Sequence, residues 1–358
     1  MGKVKAGILG ASGYSGAELL KRLAAHPEVE VAAVGSRQYQ GEGVATCWPH
    51  LAGRLPGLRF EGTEEVIAAS DVLLTATPHG ATAGLVKQGL DAGCKVVDLS
   101  ADYRLASEDY RHWYGLEHPH PELLPEAFYG LVELHRSELH GARLIANPGC
   151  NATAASLALA PLAACGLLGR CVTVNILTGV SGAGRLASLD FTFGEVNENV
   201  RPYKAAGGHR HIAEVETTLG RVRRFGRQVR THARVERPAV NFNPHLVPMS
   251  RGILATCTTQ PERLDGTLDD ARLLERYQDF YAGEPLINVQ QELPQTKAVA
   301  GTDRTFVSAR FDSRSEMIVA FAAIDNLGKG AAGQAVQNMN VMLGFDELAG
   351  LELGALWP

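Results

Sequence analysis

The sequence lacks a long apolar run and a strong excess of either charge. No apolar stretch reaches the roughly 18–20 residues that a membrane-spanning helix needs, and the N-terminal MGKVKAGILGASGYSG does not have the pattern of a secretory signal. The formal net charge is −5 in 358 residues, which gives no electrostatic reason to expect nucleic acid as a partner. We therefore expect a cytoplasmic protein that binds neither a membrane nor nucleic acid.

Cysteine is scarce and shows no pairing pattern. The six cysteines form no CxxC motif, and a disulfide scaffold would be denser in a shorter chain. Reduced thiols that mostly serve as packing residues are expected, so a catalytic role has to be argued for one cysteine at a time. The six are Cys47, Cys94, Cys150, Cys165, Cys171 and Cys257.

The length predicts two domains, and the beginning of the first has the pattern of a nucleotide-binding unit. Residues 4–9 are a short apolar run, residues 10–16 are rich in glycine, residues 17–27 have helical apolar spacing, and residues 29–36 are apolar again. Strand, glycine turn, helix and strand in this order form a dinucleotide phosphate cradle, although the glycines are spaced GxxGxxG and not GxGxxG. The candidate cofactor-binding residues of this turn are Gly10, Ser12, Gly13, Tyr14, Ser15 and Gly16.

The end of the second strand distinguishes NADP from NAD. An NAD enzyme usually carries Asp or Glu there to bind the ribose 2′-hydroxyl, whereas this chain has Ser36 and Arg37 after Gly35. A hydroxyl beside a guanidinium suits a 2′-phosphate. Ser36 and Arg37 are therefore predicted to bind NADP(H), although Arg37 also fits a solvated loop residue.

Two later loops follow apolar strands and are predicted to line the same crevice. The strand-like stretches 69–80 and 94–102 flank the helical stretch 81–93, and loops at the carboxyl ends of parallel strands meet the ligand. His79 equally fits a loop histidine without a catalytic role. The predicted ligand-binding residues of these loops are Pro78, Ser100 and Ala101 for the cofactor and Arg104 for the substrate.

Cys150 is the predicted nucleophile. An apolar strand at 142–147 is followed by Pro148-Gly149, and helical spacing begins just after Cys150. The exposed N–H groups at a helix N-terminus stabilise a thiolate and can hold a developing oxyanion. Cys165 and Cys171 instead flank an apolar helix and strand, where small hydrophobic residues pack.

Polar groups that suit a cysteine nucleophile follow later in the chain. A histidine near the thiol supplies a general acid and base, and an arginine binds phosphate or carboxylate. His209 and His211 are both candidates, with no preference between them. Two histidines at this spacing also fit a metal site, but no further ligands stand around them, so no metal is expected. The predicted partners are Ser181, Arg185, His209, Arg210 and His211.

The motifs together resemble N-acetyl-γ-glutamyl-phosphate reductase and its relative from lysine biosynthesis, over essentially the whole chain. The motifs are GASGYSGAE, SADYR, ANPGC, TGVSGAGR, EVNENV and GHRH, in the family's order. The resemblance implies an α/β chain with a Rossmann domain and an α+β catalytic domain of the glyceraldehyde-3-phosphate dehydrogenase type. It further implies NADPH, a cysteine thioester and a homotetramer, with Asn326 and Gly330 near the nicotinamide.

The resemblance also sets the expected domain limits. A Rossmann domain is expected over residues 1–149, completed by the C-terminal segment 326–358 that contains a helix. The catalytic and oligomerisation domain is expected over residues 150–325. Its widely separated apolar strands predict an antiparallel or mixed sheet with helices on one face.

Two departures concern the substrate. Arginine-pathway enzymes typically have NPGCYPTA and HRHTPEI, whereas this chain has NPGCNATA at 147–154 and HRHIAEV at 209–215. Both are similar to the lysine-pathway branch, which reduces an aminoadipyl phosphate on a small acidic carrier protein. Asn151 is therefore a candidate substrate-binding residue, and the arginine-rich stretch 221–230 is a candidate carrier contact or a solvated face. The lysine branch is the main expectation, with the arginine pathway or a bifunctional enzyme as the alternative.

The predicted reaction is the reduction of an acyl phosphate to an aldehyde with release of phosphate. Two other classes remain. A non-phosphorylating aldehyde dehydrogenase also forms a cysteine thioester but needs no phosphate-binding arginine. A catalytically silent NADP-binding regulator would keep the glycine turn without needing Cys150, Arg185 and the histidines.

Overall fold

The computed structural model describes residues 2–227, 230–262, 264 and 268–357. It divides into two compact units. Unit 1 comprises Met1–Val132, Arg136–Pro148 and Ala331–Glu352, and unit 2 comprises Glu133–His135, Gly149–Gly330 and Leu353–Pro358. The domain limits 1–149 with 326–358, and 150–325, stay predictions.

Strands and helices are numbered along the chain. The strands are β1 Val4–Leu9, β2 Val29–Gly35, β3 Phe60–Glu61, β4 Val72–Thr75, β5 Lys95–Asp98, β6 Ala127–Tyr129, β7 Leu144–Ala146, β8 Cys171–Thr178, β9 Arg201–Pro202, β10 Ala239–Leu246, β11 Ile253–Thr259, β12 Ile287–Val289, β13 Thr305–Asp312 and β14 Met317–Ile324. The α-helices are α1 Tyr14–Leu23, α2 Val44–Cys47, α3 Thr63–Ala68, α4 Ala83–Asp91, α5 Ser107–Tyr114, α6 Val132–Leu139, α7 Cys150–Ala164, α8 Phe193–Val196, α9 His211–Phe225, α10 Asp270–Phe280 and α11 Gly333–Leu343. Short 3-10 helices span Pro49–Leu51, Pro121–Glu126, Val180–Ala183, Leu189–Phe191 and Thr296–Ala298, and a π-helical turn spans Gly328–Ala332.

Unit 1 is built on a parallel sheet. Its seven described strands have the order β3-β2-β1-β4-β5-β7-β6, and all pair in parallel. The chain passes from β1 to β2 on one side and later to β4 on the other, so the order reverses beside β1. Ligands of such sheets bind at the carboxyl ends of the strands at this reversal. The glycine-rich turn follows β1 and therefore lies at this place, and the predicted Rossmann fold is confirmed.

The C-terminal helix is part of the core of unit 1. Val336 and Met339 of α11 are fully buried and belong to the same apolar cluster as Ile8 of β1 and Leu20 of α1. Burial of such side chains contributes roughly 1.5–3 kcal/mol each. Helix α11, more than 300 residues from β1 along the chain, therefore completes the core of unit 1 and belongs to that unit.

Unit 2 is built on a mixed sheet. Its seven described strands have the order β12-β13-β14-β11-β8-β10-β9. Strand β10 runs parallel to β8 and β12 runs parallel to β13, while the other pairs are antiparallel. This agrees with the expected mixed sheet. Alternation along β8 buries Val172, Val174 and Ile176, whereas Leu177 on the opposite face is 38% exposed.

Helix α7 is the buried helix of unit 2. Residues 151–163 are all buried, which matches a sequence that is apolar on every side. Pro161 has no N–H to donate to the Leu157 carbonyl, and the Tyr281 hydroxyl donates to that carbonyl instead, at 2.5 Å. Although α7 is apolar, no helix among the described residues is both long and apolar enough to cross a membrane.

Candidate active site

Cys150 is the first residue of α7. Gly149 is the N-cap residue, with extended backbone angles, and as a glycine it has no side chain with which to cap the helix. The first N–H groups of a helix have no partner within it and carry its positive dipole end. The Cys150 side chain is half-buried. The sulfur thus lies where a thiolate and an oxyanion are both stabilised.

His211 and Glu214 form a pair against the residue that precedes the cysteine. A Cβ on Gly149 would lie 2.3 Å from His211 Nε2, so the imidazole packs directly on the Gly149 backbone. Glu214, buried in the first turn of α9, accepts the Gly149 N–H at 2.9 Å through Oε2. Its Oε1 lies 3.9 Å from His211 Nε2. A carboxylate in this place stabilises the protonated imidazole.

His209 has a different environment. Its ring is buried and packs against His211 and Phe242. Burial, reinforced by the positive charges of neighbouring groups including His211 and Lys204, lowers the pKa of His209 to about 2. Its Nδ1 accepts the backbone N–H of His211 at 3.2 Å. A neutral ring held in this way positions His211 and is poorly suited to proton transfer near neutral pH.

Asn151 contacts both the nucleophile and a tyrosine. Cys150 Sγ lies 3.8 Å from Asn151 Oδ1, and Asn151 Nδ2 donates to the Tyr203 hydroxyl at 3.3 Å. Burial raises the pKa of Tyr203 to about 12, so its hydroxyl stays protonated. Asn151 is 2% exposed and Ala152 is fully buried. These two residues are therefore packed inside unit 2.

The turn after β14 also reaches Cys150. A Cβ on Gly330 would lie 2.8 Å from Cys150 Cβ, so only glycine fits there without movement. In the same turn, Asn326 accepts the Gly252 N–H at 2.8 Å and donates to Ser181 Oγ at 2.8 Å. The structure thus brings Ser181 and Asn326 together, and Gly330 and Cys150.

The three candidate arginines lie in different places. Arg104, in unit 1, donates from Nε to the Asn147 carbonyl at 2.7 Å and from Nη2 to the Leu99 carbonyl at 2.8 Å. Arg210 is half-buried at the N-cap of α9. Arg185 is exposed in the segment that follows the 3-10 turn Val180–Ala183. Of these, Arg210 lies next in sequence to both candidate histidines.

In unit 1, the glycine turn fits a dinucleotide phosphate. Gly10 has φ +84°, and a Cβ on Gly16 would lie 2.5 Å from Ala11 Cα, so both glycines permit a close turn. Gly13 is the N-cap of α1, followed by Tyr14 and Ser15, and no acidic residue stands in the first turn to neutralise its N–H groups. This leaves the helix N-terminus suited to an anion.

The remaining predicted cofactor residues lie around the same strand ends. Ser12 Oγ and Ser36 Oγ are hydrogen bonded at 2.8 Å, and Arg37 is exposed beside them in sequence. Ser100 donates to buried Asp98 at 2.7 Å, and Ala101 next to it is buried. Pro78 is exposed in the loop that leads to α4.

Metal ligands are not clustered in the part of the chain that is described. No group of three or more His, Cys, Asp or Glu residues there is arranged to hold a metal ion. The pair His209 and His211 has aromatic and carboxylate neighbours, as given above.

Glu214 and Tyr203 were missed from the sequence. Glu214 stands three residues after His211, a spacing that places two side chains on one helix face, so this pair was detectable. Tyr203 carries no such signal, because its contact with Asn151 joins residues 52 positions apart. Sequence spacing does not predict contacts of that kind.

Two family models match the chain. The NAD-binding domain of semialdehyde dehydrogenase matches residues 5–142, and the dimerisation domain of semialdehyde dehydrogenase matches residues 150–326. The first lies in the unit with the glycine turn, and the second includes Cys150, Glu214 and the two histidines.

Full-length relatives and solved structures were also found. The chain is 52% identical to the N-acetyl-gamma-glutamyl-phosphate reductase of Thermus thermophilus, over 98% of this chain and 100% of that protein. It is 43% identical to the enzyme of that name from Symbiobacterium thermophilum, over 99% of each. Its fold is similar to aspartate semialdehyde dehydrogenase with NADP from Candida albicans, with a TM-score of 0.69, 18% identity, and coverage of 94% of this chain and 98% of that one.

Proposed function

We propose, from the premise that the chain belongs to the N-acetyl-gamma-glutamyl-phosphate reductase family, that it reduces N-acetyl-γ-glutamyl phosphate to the corresponding aldehyde with NADPH. The observation that carries the proposal is the placement of Cys150 as the first residue of helix α7, with the His211–Glu214 pair packed on Gly149. As a member of this family the chain is an oxidoreductase that acts on an acyl phosphate.

The comparisons support the arginine-pathway alternative better than the expected lysine branch. The relatives compared above carry the arginine-pathway name. Of the two stretches that favoured the lysine branch, 147–154 and 209–215, the first owes its difference to Asn151 and Ala152, which are buried and so give little support to a carrier-bound substrate.

The arginine-rich stretch gives little support to a carrier protein. Arg223 donates to the Leu168 carbonyl, Arg224 to the Arg234 carbonyl, and Arg227 to the Phe280 and Ala282 carbonyls. Gln228 and Val229 of the stretch lie outside the described residues. Because these arginines bind the chain itself, the proposal needs no carrier protein.

The mechanism follows from the residues around Cys150. His211 takes the Sγ proton, and Glu214 stabilises the imidazolium that forms. Cys150 attacks the acyl carbonyl while the N–H groups of the first turn of α7 stabilise the oxyanion, and phosphate leaves to give a thioester. After reduction, the adduct on Cys150 collapses to the aldehyde, and His211 returns a proton to the thiolate. Arg210 and Arg185 are proposed to bind the substrate's anionic groups.

NADPH, when bound, supplies the hydride that reduces the thioester. We propose that the glycine turn from Gly10 to Gly16 binds the pyrophosphate of NADPH. Ser36 and Arg37 are proposed to bind its 2′-phosphate. Pro78, Ser100 and Ala101 are proposed to line the cofactor site, with Asn326 and Gly330 on the nicotinamide side.

We also propose that the chain assembles with copies of itself, as a homotetramer. The matching of residues 150–326 to a dimerisation domain and the partly exposed face of the unit 2 sheet around Leu177 support this assembly.

The test measures NADPH oxidation with N-acetylglutamyl phosphate and with carrier-bound aminoadipyl phosphate. Turnover of the first alone supports the proposal, and turnover of the second alone overturns it. In the reverse direction, aldehyde oxidation should depend on inorganic phosphate. Oxidation without phosphate would instead identify a non-phosphorylating aldehyde dehydrogenase.

A further inference from the structure

The turn that follows β14 carries a fully buried ion pair that the mechanism above does not use. Lys329 Nζ donates to Glu133 Oε1 at 2.6 Å, and their side chains are 0% and 1% exposed. Removing two charges from water is unfavourable, and their mutual attraction has to compensate for it. A buried ion pair contributes little net stability. We therefore ask whether its position serves the active site.

A second buried carboxylate holds the other end of the same turn. Asp325, which follows β14, is fully buried. Its Oδ1 accepts the N–H groups of Leu327 and Gly328 at 2.8 and 3.1 Å, and its Oδ2 accepts from Arg251 Nε and Gly301 N at 2.9 and 2.6 Å. The Gly330 N–H donates to the Asp325 carbonyl at 2.9 Å. The backbone from 325 to 330 is therefore fixed at both ends.

The last residue of this turn, Gly330, contacts Cys150. Gly330 directly follows Lys329, and its backbone lies so close to Cys150 that an added Cβ would be 2.8 Å from Cys150 Cβ and 3.4 Å from its Cα. Any shift of the turn would therefore change the packing against Cys150. Asn326, which is hydrogen bonded to Ser181, would move with it.

We infer that Lys329 and Glu133 are positioning residues for Cys150: their buried ion pair presses the Gly330 backbone against the nucleophile and fixes the direction of its attack. The inference rests on the proposed function, because it assumes that Cys150 is the nucleophile. It adds two residues that never touch the substrate and act only through Gly330.

The variants Glu133→Gln and Lys329→Met each break the pair. Because each single variant removes one charge of a buried pair and keeps the other, we add the double variant E133Q/K329M. It removes both charges and should be the least destabilised of the three. Glu284→Gln is the matched control. Glu284 is fully buried and paired with Arg227 in the same unit, and neither of these residues belongs to the proposed machinery.

Two readouts distinguish positioning from stability. The first is the burst of phosphate released by the enzyme on mixing with N-acetylglutamyl phosphate without NADPH, which reports the attack of Cys150 alone. The second is the rate of Cys150 alkylation by iodoacetamide, followed by mass spectrometry of its peptide because Cys165 and Cys171 are exposed. Thermal unfolding is measured for every variant.

We expect the burst rate of the double variant to fall at least about tenfold while the alkylation rate rises at least about fivefold, because the thiol is uncovered but no longer aligned. E284Q should keep both rates within about twofold of the wild type, whatever its stability. Both rates unchanged in a folded double variant, or the same changes in E284Q, would overturn the inference. If the wild-type enzyme gives no burst, the proposed function is overturned. The alkylation rates of Cys150 alone then test whether the ion pair positions this residue.

Discussion

The contact between Gly149 and His211 leaves no room for a side chain on residue 149. A Cβ at this position would lie 2.3 Å from Nε2 and 2.6 Å from Cε1 of His211, closer than any non-bonded approach allows. Position 149 therefore decides where the imidazole lies relative to the cysteine that follows. Sequence spacing favoured glycine here as part of a turn, whereas the structure shows that a ring occupies the space.

We expect Gly149→Ala to lower kcat by about a hundredfold, since a displacement of the base by about 1 Å has that effect. Gly194→Ala is the matched control, because nothing lies within 4 Å of a Cβ at Gly194. Steady-state kinetics of both variants check this. An alanine at position 149 with full activity would show that His211 does not need its present place.

The two histidines should respond differently to substitution. His211→Gln removes the proposed proton carrier, and we expect kcat to fall about 10²–10⁴-fold. His209→Gln keeps an acceptor for the His211 N–H, and we expect a fall of less than about tenfold. Measured kcat values for both variants test the assignment, which is reversed if His209→Gln is the more severe.

His209 should also make the protein less stable in acid. Its pKa is 6.5 in an unperturbed environment and about 2 in the folded chain, so below pH 6.5 the unfolded chain binds a proton that the folded chain does not. The free energy of unfolding therefore decreases as the pH falls below 6.5, by at most about 1.4 kcal/mol per pH unit from this group. Urea unfolding at pH 7.5, 6 and 5 should show a smaller decrease for His209→Gln than for the wild type. Equal slopes would exclude this role of burial.

At the level of elements, Asp102 organises the loop before α4. Its Oδ1 accepts the Gly80 N–H at 2.7 Å, and its Oδ2 accepts the N–H groups of Thr82 and Ala83 at 3.2 and 3.1 Å. The start of α4 is thus capped by a carboxylate from a neighbouring strand end and not from its own sequence. Pro78 lies in the loop held in this way.

We expect Asp102→Asn to weaken NADPH binding by about tenfold, because the new amide presents N–H groups to backbone donors and loosens the loop. Asp91→Asn is the control, since Asp91 is the last residue of α4 and pairs with Lys87 on the surface. Fluorescence titration with NADPH compares the two variants. An unchanged dissociation constant for Asp102→Asn would show that the loop does not contact the cofactor.

Most long elements were predictable, and the short ones were not. The apolar runs at 4–9 and 29–36 predicted β1 and β2 to within about one residue at each end, because both strands are long enough for the apolar pattern to be visible. Strands β3, β6, β9 and β12 have two or three residues each. They are strands only because they pair with a neighbouring strand, and no sequence pattern of that length predicts such pairing. Strand β10 was missed because it contains Pro244 and two asparagines, which are unusual inside a sheet.

At the scale of the whole molecule, the fold and the reaction class followed from the motifs, but the substrate did not. Two short stretches, NPGCNATA at 147–154 and HRHIAEV at 209–215, favoured the lysine branch. In the first, Asn151 and Ala152 are buried in α7, and Asn151 is hydrogen bonded to Tyr203. A few differences beside the nucleophile were therefore too little evidence to assign a pathway.

Assembly should depend on the uncovered face of the unit 2 sheet. We expect Leu177→Arg to convert the proposed homotetramer into smaller species, because a charge there would be desolvated between two copies. Leu116→Arg in unit 1 is the control, since Leu116 is exposed to a similar degree, 47% against 38%. Light scattering after size-exclusion chromatography measures the mass. An unchanged mass for Leu177→Arg would place the contact elsewhere.

The discontinuity of unit 1 has a consequence for synthesis on the ribosome. The apolar surface formed by Ile8, Leu20 and their neighbours is closed by α11, which is translated more than 300 residues later. During most of translation this surface is exposed, while most of unit 2 emerges in one continuous stretch, 149–330, with only residues 133–135 before it and 353–358 after it. The nascent chain cannot complete its dinucleotide-binding unit until α11 leaves the exit tunnel. Cofactor binding would then mark the last stage of folding, and a ribosome stalled before residue 331 would hold a chain that chaperones can still recognise.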